Sequence, residues 1–482
     1  MINILLGAII FSVWLITLFF GKSIGLSMVL FAVPFTGFIL YYLERKNKIV
    51  NKKAKIFLIP ITLLSFTYCI FNNTFFNNLN MWVIPILLVL MIIDLFKNNL
   101  RINADLVGEI LCVFFVPLSF VGEAIEKLRQ SFENKTNKTI DSRKGKTVKK
   151  VIKSLLIIFP LVLFILIMLA TADNTFGSIF KNIFVDLIKL VKNIKISTIF
   201  AKFVLIILAF MYFLGLFYYL FFKHENNEQT AKVEIKNKDN FTIKLLLGIL
   251  NAIYLVFCII QIKSLFIGNE SIKYSEYARQ GFFQLMIVSV INLITILIAK
   301  KSENGEEKNK YINTMSVIMC IFTFILLISS AVRMYYYENA YGYTFLRLMV
   351  YCILFTETCL LMPTILWILD KKINLTKTYI SIIMCAYVVM NFINFDNLIA
   401  KRNVDRYIET GKIDITYLKF ATGTDAVKQL TRILKVENDD IYVKDETENY
   451  LNNLYNRLIQ EEMDIRDFNI SKIRAKEIIK NK

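Results

Sequence analysis

Charged and aromatic residues gather in five short stretches at the ends of the long apolar segments of this chain. Guanidinium and carboxylate groups placed there can pair with one another or bind an anionic lipid phosphate, because arginine presents a planar fork of donors. Pairing is favoured since an uncompensated charge close to hydrocarbon is costly. The pattern predicts one polar cluster formed by Asp173, Glu276, Arg279, Arg333, Glu338, Arg347, Asp396, Asn403 and Arg406.

Glu357 is a carboxylic acid deep inside an apolar segment, within Phe355-Thr-Glu-Thr-Cys359. Burying its charge would be expensive, so we expect a neutral side chain that faces the interior of a helical bundle. An acid in this position is a functional candidate. The structural alternative is a hydrogen bond to a facing amide such as Gln284 or Asn292.

Several kinds of chemistry are excluded by what the sequence lacks. It contains no P-loop, GxGxxG, GxSxG or HExxH motif. The seven cysteines lie in apolar stretches without zinc or redox spacing, and the single histidine, His224, ends an apolar segment. The sequence therefore predicts no metal and no cofactor, and it favours a protein that is not an enzyme.

The elements that must position these residues are membrane helices. Hydrophobic residues make up 56% of the 482 positions, and the apolar runs approach the roughly 20 residues that cross a bilayer as a helix. The sequence predicts an all-α, polytopic transmembrane bundle with about eleven spans and a small helical C-terminal domain. The predicted spans are 4–20, 24–43, 56–71, 80–95, 152–172, 199–222, 242–262, 281–299, 312–332, 348–369 and 375–393.

The net charge of +19 gives the orientation of these spans. Alternate connecting segments contain 30 basic residues on one side and 11 on the other, and the charges of residues 394–482 cancel. The positive-inside bias places the first set in the cytoplasm, so eleven spans leave the N-terminus inside and the C-terminus outside. The same bias explains the basic excess without nucleic acid as a partner.

Three domains are predicted on this basis: a four-span region with a basic cytoplasmic loop (1–150), a seven-span core (151–393) and an extracytoplasmic helical domain (394–482). Two further stretches are expected to lie on membrane surfaces. Residues 106–121 contain Glu109 and Pro117 and predict an interfacial or re-entrant helix, since a further span would invert every later loop. Residues 176–194 predict an amphipathic helix on the outer surface.

The polar stretches resemble a large family of bacterial multi-pass membrane proteins classed as a domain of unknown function. The resemblance covers roughly residues 150–476, and its most specific part is Tyr274-Ser-Glu-Tyr-Ala-Arg279. It implies a membrane fold and points to the polar positions, but it supplies no activity. Phe345 departs from the family's pattern, which has an acidic residue after Thr344.

Three functions remain open. The first is a non-catalytic sensor, scaffold or assembly factor of the bacterial cell envelope that binds an envelope protein or an anionic lipid on its outer face. The second is a secondary transporter that uses Glu357, although no inverted repeat is visible. The third is a lipid-linked glycosyl or phospho-group transferase, although the first outer loop is only Gly21-Lys22-Ser23. Bound lipids and proteins would distinguish them.

Overall fold

The structure is a computed structural model that describes residues 2–96, 104–133, 198–223, 240–266, 282–301, 310–370, 373–436, 440–461 and 464–482. These residues form helices joined by short turns, with no strand among them, which confirms the all-α prediction. The helices of the first half are α1 (Ile2–Phe19), α2 (Leu26–Arg45), α3 (Leu58–Ile70), α4 (Thr74–Phe96), α5 (Ala104–Glu133) and α6 (Thr198–Tyr218).

The second half continues with five long helices and then five helices near the C-terminus. The long ones are α7 (Asn240–Phe266), α8 (Phe282–Lys301), α9 (Lys310–Tyr341), α10 (Phe345–Asp370) and α11 (Leu375–Phe392). The others are α12 (Phe395–Thr410), α13 (Ile415–Ala421), α14 (Val427–Ile433), α15 (Ile441–Gln460) and α16 (Ile470–Lys480).

Seven of the described helical segments are long and apolar enough to cross a membrane. Three shorter apolar segments, Asn3–Phe19, Ile243–Ile259 and Gln284–Lys300, fall at three further predicted spans. The chain is thus a multi-pass membrane protein, and its exposed apolar side chains suit contact with a bilayer. The predicted span 152–172 lies outside the described residues, so the count of eleven stays a prediction.

The two stretches expected on membrane surfaces both stay predictions. Residues 106–121 belong to α5, one continuous helix of 30 residues with Pro117 inside it. Whether this helix lies at a membrane surface stays a prediction. The amphipathic stretch 176–194 lies outside the described residues.

The chain divides into two compact units, and the first comprises Met1–Ser65, Trp82–Glu228 and Met463–Phe468. Its interior is rich in phenylalanine: Phe11 of α1, Phe35 and Phe38 of α2 and Phe217 of α6 have ring centroids 5.1–6.2 Å apart. Aromatic pairs at such distances add to the energy of burial. A phenylalanine core therefore holds these helices together.

The second unit comprises Phe66–Met81, Gln229–Glu462 and Asn469–Lys482. One of its two cores joins apolar side chains of α7, α8, α9, α10 and α11. The other core joins the C-terminal helices, and Phe76 and the start of α10 pack into it. Residues 394–461 and 469–482 therefore share one unit with the predicted membrane core, while their separation as an outer domain stays a prediction.

Capping residues explain where the C-terminal helices begin and end. Asn394, Asp414, Asp440 and Asn469 each accept a backbone N–H in the first turn of the helix that follows. Gly411 ends α12 with a φ of +68°, the left-handed conformation that glycine adopts without strain. Aspartate before a helix and glycine after one are the usual local signals of such limits.

Candidate functional site

The turn between α9 and α10 is held by the side chain of Asn403 on α12. Its amide nitrogen donates to the carbonyl of Tyr343 at 2.8 Å, and its oxygen accepts the amide N–H of Tyr343 at 3.1 Å. Gly342, in the same turn, has a φ of +83°, and a Cβ there would lie 2.8 Å from both Asn403 Oδ1 and Arg406 Nη1. Any other residue here would strain the backbone and displace the ends of the Asn403 and Arg406 side chains.

Two predicted arginines approach the same turn but use backbone acceptors. Arg406 donates to the carbonyl of Ala340 at 2.9 Å, and Arg347 donates to the carbonyl of Gly342. The guanidinium of Arg347 also lies over the ring of Tyr337, 4.3 Å from its centroid. These carbonyls close α9, where helical acceptors lack intrahelical donors. The arginines therefore complete the end of that helix.

Arg333 and Glu338 lie buried near the end of α9, with exposed fractions of 8% and 4%. The hydroxyl of Tyr351 on α10 donates to Oε2 of Glu338 at 3.1 Å. Glu338 thus connects α9 to α10 through a buried hydrogen bond near the turn. The hydrogen bonds that Arg347 and Arg406 form at this turn go to backbone carbonyls and not to this carboxylate.

Asp396 lies at the start of α12 and accepts two hydrogen bonds, one on each carboxylate oxygen. The side chain of Asn73 donates to Oδ1 at 2.7 Å, and the amide of Gly423 donates to Oδ2 at 2.9 Å. A Cβ on Gly423 would lie 2.7 Å from the carbonyl oxygen of Asn72. Asp396 therefore ties residues 72–73 to residue 423 at a close backbone approach.

Asp425 extends this network next to Asp396. Its carboxylate accepts the amide N–H of Asn72 at 2.8 Å and the side-chain amide of Asn394 at 3.3 Å. Burial raises the pKa of Asp425 above its ordinary value. Burial also raises the pKa of Asp396 to about 6, against the opposing bond from Gly423 and with a smaller contribution from Asp425.

Asn469 and Ser471 complete the polar network from the last helix. Asn469 donates to the carbonyls of Tyr68 and Phe71, both at 2.9 Å, and the hydroxyls of Ser471 and Thr424 lie 2.5 Å apart. The carbonyls of residues 68 and 71 close α3, so Asn469 supplies donors to that helix end. We call the set Asn72, Asn73, Asn394, Asp396, Gly423, Thr424, Asp425, Asn469 and Ser471 the polar lock.

Most members of the polar lock were missed in the sequence. Asn72 and Asn73 directly follow the predicted span 56–71, and polar residues at the end of a span are only a weak signal of a site. Asp425 stands two residues after Gly423, which is no stronger a signal. A cavity of about 10 Å³ lies among Thr67, Asn73, Asn391, Asn394 and Asp425, room for about one water. No group of three His, Cys, Asp or Glu is placed to hold a metal within the described parts of the chain.

Glu357 faces the interior of the second unit, with an exposed fraction of 5%. Its Oε2 forms a hydrogen bond with the hydroxyl of Ser289 on α8, and its Oε1 has no partner among the described residues. The expected partners differ: Gln284 is exposed, and Asn292 contacts the hydroxyls of Tyr254 and Thr323 at 2.7 and 3.0 Å. Ser289 lies one helical turn before Asn292. Glu357 therefore contacts the helix that carries Asn292, but through a serine hydroxyl and not through an amide.

The predicted cluster is therefore described in part. Arg347, Asn403 and Arg406 meet at one turn, and Glu338 lies at the end of the helix that leads into it. Asp396, two turns before Asn403 on α12, belongs to the polar lock. Asp173, Glu276 and Arg279 lie outside the described residues, so the convergence of all nine residues stays a prediction.

Comparison with known proteins identifies a family but no activity. No curated protein and no solved structure matches the chain. A family described as "Domain of unknown function (DUF4153)" matches residues 58–433, which begins earlier and ends sooner than the resemblance noted in the sequence. Because this match covers more than half of the 482 residues, the chain belongs to the DUF4153 family.

Proposed function

We propose that this protein is a non-catalytic membrane scaffold whose C-terminal helices form a fixed platform on the ends of membrane helices. The observation that carries the proposal is the use of both Asp396 oxygens by Asn73 and Gly423. Asn403, Arg347 and Arg406 are likewise engaged with backbone groups. These four side chains, which could have bound a substrate, make structural contacts among the described residues, and this supports a structural role.

A fixed platform suits a scaffold better than a transporter, because transport requires helices that move against one another. The polar lock joins residues 72–73, 394–396, 423–425 and 469–471 through hydrogen bonds from side chains to backbone groups and to other side chains. Buried networks of this kind favour a single arrangement when every member has a partner. We propose an envelope protein as the partner of the platform, in the membrane of a bacterial cell.

Purification of the full-length protein in mild detergent, followed by identification of bound proteins and lipids, tests this function. The scaffold proposal expects a stoichiometric protein partner that is lost from Asp396→Asn. Glu409→Gln, an exposed change on the same helix, should retain the partner. A stoichiometric lipid-linked sugar in place of a protein would overturn the proposal in favour of the lipid-linked transferase.

A further inference from the structure

Two hydrogen-bond acceptors compete for the hydroxyl proton of Ser289. Its Oγ lies 2.6 Å from the carbonyl oxygen of Met286 and also within hydrogen-bonding distance of Oε2 of Glu357. A serine hydroxyl has one proton, and a carbonyl oxygen can only accept. If Glu357 were ionised, one of these two short oxygen contacts would have no hydrogen. A proton on Glu357 supplies it.

We propose that Glu357 is a proton-binding site within the membrane part of the protein. With the proton on Oε2, Glu357 donates to Ser289 Oγ, and Ser289 donates to the Met286 carbonyl, so each contact has one donor. The side chain is 5% exposed, and its Oε1 has no hydrogen-bond partner among the described residues. A neutral oxygen in such a place costs far less than a charged one.

The same geometry allows the proton to leave. When the proton passes from Oε2 to a water molecule or base, a carboxylate remains, and the Ser289 hydroxyl can turn from Met286 to Oε2. The Met286 carbonyl still accepts a hydrogen bond from the backbone N–H four residues later, as in any α-helix. Ser289 therefore serves both states of Glu357, and binding and release need no rearrangement of α8 or α10.

Among the residues that the structure describes, Glu357 forms no ion pair that could take the place of this proton. Tyr351, whose hydroxyl donates to Glu338 of α9, lies about 9 Å from Glu357 along α10, and Lys300 lies about 16 Å beyond Ser289 along α8. Among the side chains that the structure describes, the buried charged or titratable groups on the helices packed against α10 are Lys300, Cys320, Arg333, Glu338, Tyr379, Asp396 and Tyr407.

Infrared spectroscopy of the full-length protein in lipid membranes tests the proposal. We expect the C=O stretching band of a protonated carboxyl at neutral pH, lost in Glu357→Gln and shifted in deuterated water as the proton exchanges. Ser289→Ala removes the donor that stabilises the anion, so proton binding should become roughly three- to tenfold tighter. Thr358→Ala, whose hydroxyl bonds its own helix at Leu354, is the matched control and should change nothing.

Three outcomes would overturn the proposal. If Glu357→Gln leaves every carboxyl band in place, Glu357 is ionised in the native protein. If the band does not shift after long exposure to deuterated water, the proton is a fixed part of the structure. If Ser289→Ala leaves proton binding unchanged, Ser289 does not take part. The side-chain amide of the Glu357→Gln variant can still donate to Ser289, so this variant keeps the contact between the two helices. Size-exclusion chromatography establishes that each variant is folded.

Discussion

At the scale of single residues, the carboxylate of Asp396 offers the sharpest test of the polar lock. Both its oxygens accept from donors, so Asp396→Asn would place its amide group against either Asn73 or the Gly423 N–H. We expect a loss of about 1–3 kcal/mol in the free energy of unfolding. A thiol-reactive dye follows thermal unfolding in detergent, because Cys69, Cys258 and Cys320 are buried. Glu409→Gln is the control, and equal unfolding temperatures would contradict the prediction.

The pKa of Asp396 adds a pH dependence with a definite sign. Burial raises it from 3.8 to about 6, so the folded state binds more protons than the unfolded state between these values. The linked stability is therefore fully present below about pH 4 and is lost as pH rises through about 6. The wild-type protein should unfold at a higher temperature near pH 5 than near pH 8. Asp396→Asn should reduce this difference, leaving the part that Asp425 contributes in the same direction.

Gly342 and Gly411 form a natural pair for separating backbone strain from steric clash. Both have positive φ, but a Cβ at Gly342 would lie 2.8 Å from Asn403 and Arg406, whereas Gly411 has nothing within 4 Å. Gly411→Ala should cost about 1–2 kcal/mol from backbone strain alone. Gly342→Ala should cost clearly more, because it also displaces the two side chains that hold the turn. Equal unfolding temperatures for the two variants would show that Asn403 and Arg406 move aside freely.

At the scale of helices, the packing of α5 against α6 depends on one glycine. A Cβ on Gly215 would lie 2.1 Å from the carbonyl oxygen of Pro117, a distance that the two backbones can relieve only by moving apart. Small residues allow this kind of close approach between membrane helices. Gly215→Ala should lower the unfolding temperature measurably. Gly122→Ala on α5 has open space and should be neutral or slightly stabilising, since alanine is the better helix former. A neutral Gly215→Ala would contradict this packing.

The sequence predicted helices well and their partners poorly, for a physical reason. Apolar runs and caps such as Asp414 and Gly411 are local signals, and most described spans begin and end within a few residues of the predicted limits. The exceptions are longer than predicted: α4 begins at Thr74, α5 ends at Glu133 and α9 ends at Tyr341. The bond from Asn73 to Asp396 joins residues 323 positions apart, and no local pattern encodes such a pairing. Ion pairs with carboxylates were expected for Arg347 and Arg406. The open carbonyls at the end of α9 satisfy them instead, because a helix end always offers such acceptors.

At the scale of the whole molecule, the side of the membrane on which each end lies is still a prediction. It rests on 30 basic residues in one set of connecting segments and 11 in the other, and on an odd number of spans. The described helices do not decide it, because the predicted span 152–172 lies outside them. The position of residues 106–121 decides the parity: a crossing by α5 would move every later segment to the opposite side.

Reporter fusions to the full chain measure this directly. A reporter active only outside the cytoplasm should be active when fused after Lys482 and inactive when fused at Lys301, because an odd number of predicted spans separates the two positions. A cytoplasm-active reporter at the same positions is the control and should give the opposite pattern. Activity at Lys301 with none at Lys482 would invert the orientation of the C-terminal half and show that α5 crosses the membrane. Activity at both positions would mean that an even number of spans separates them. In that case α11, the least buried of the seven apolar helical segments, would lie along the membrane surface.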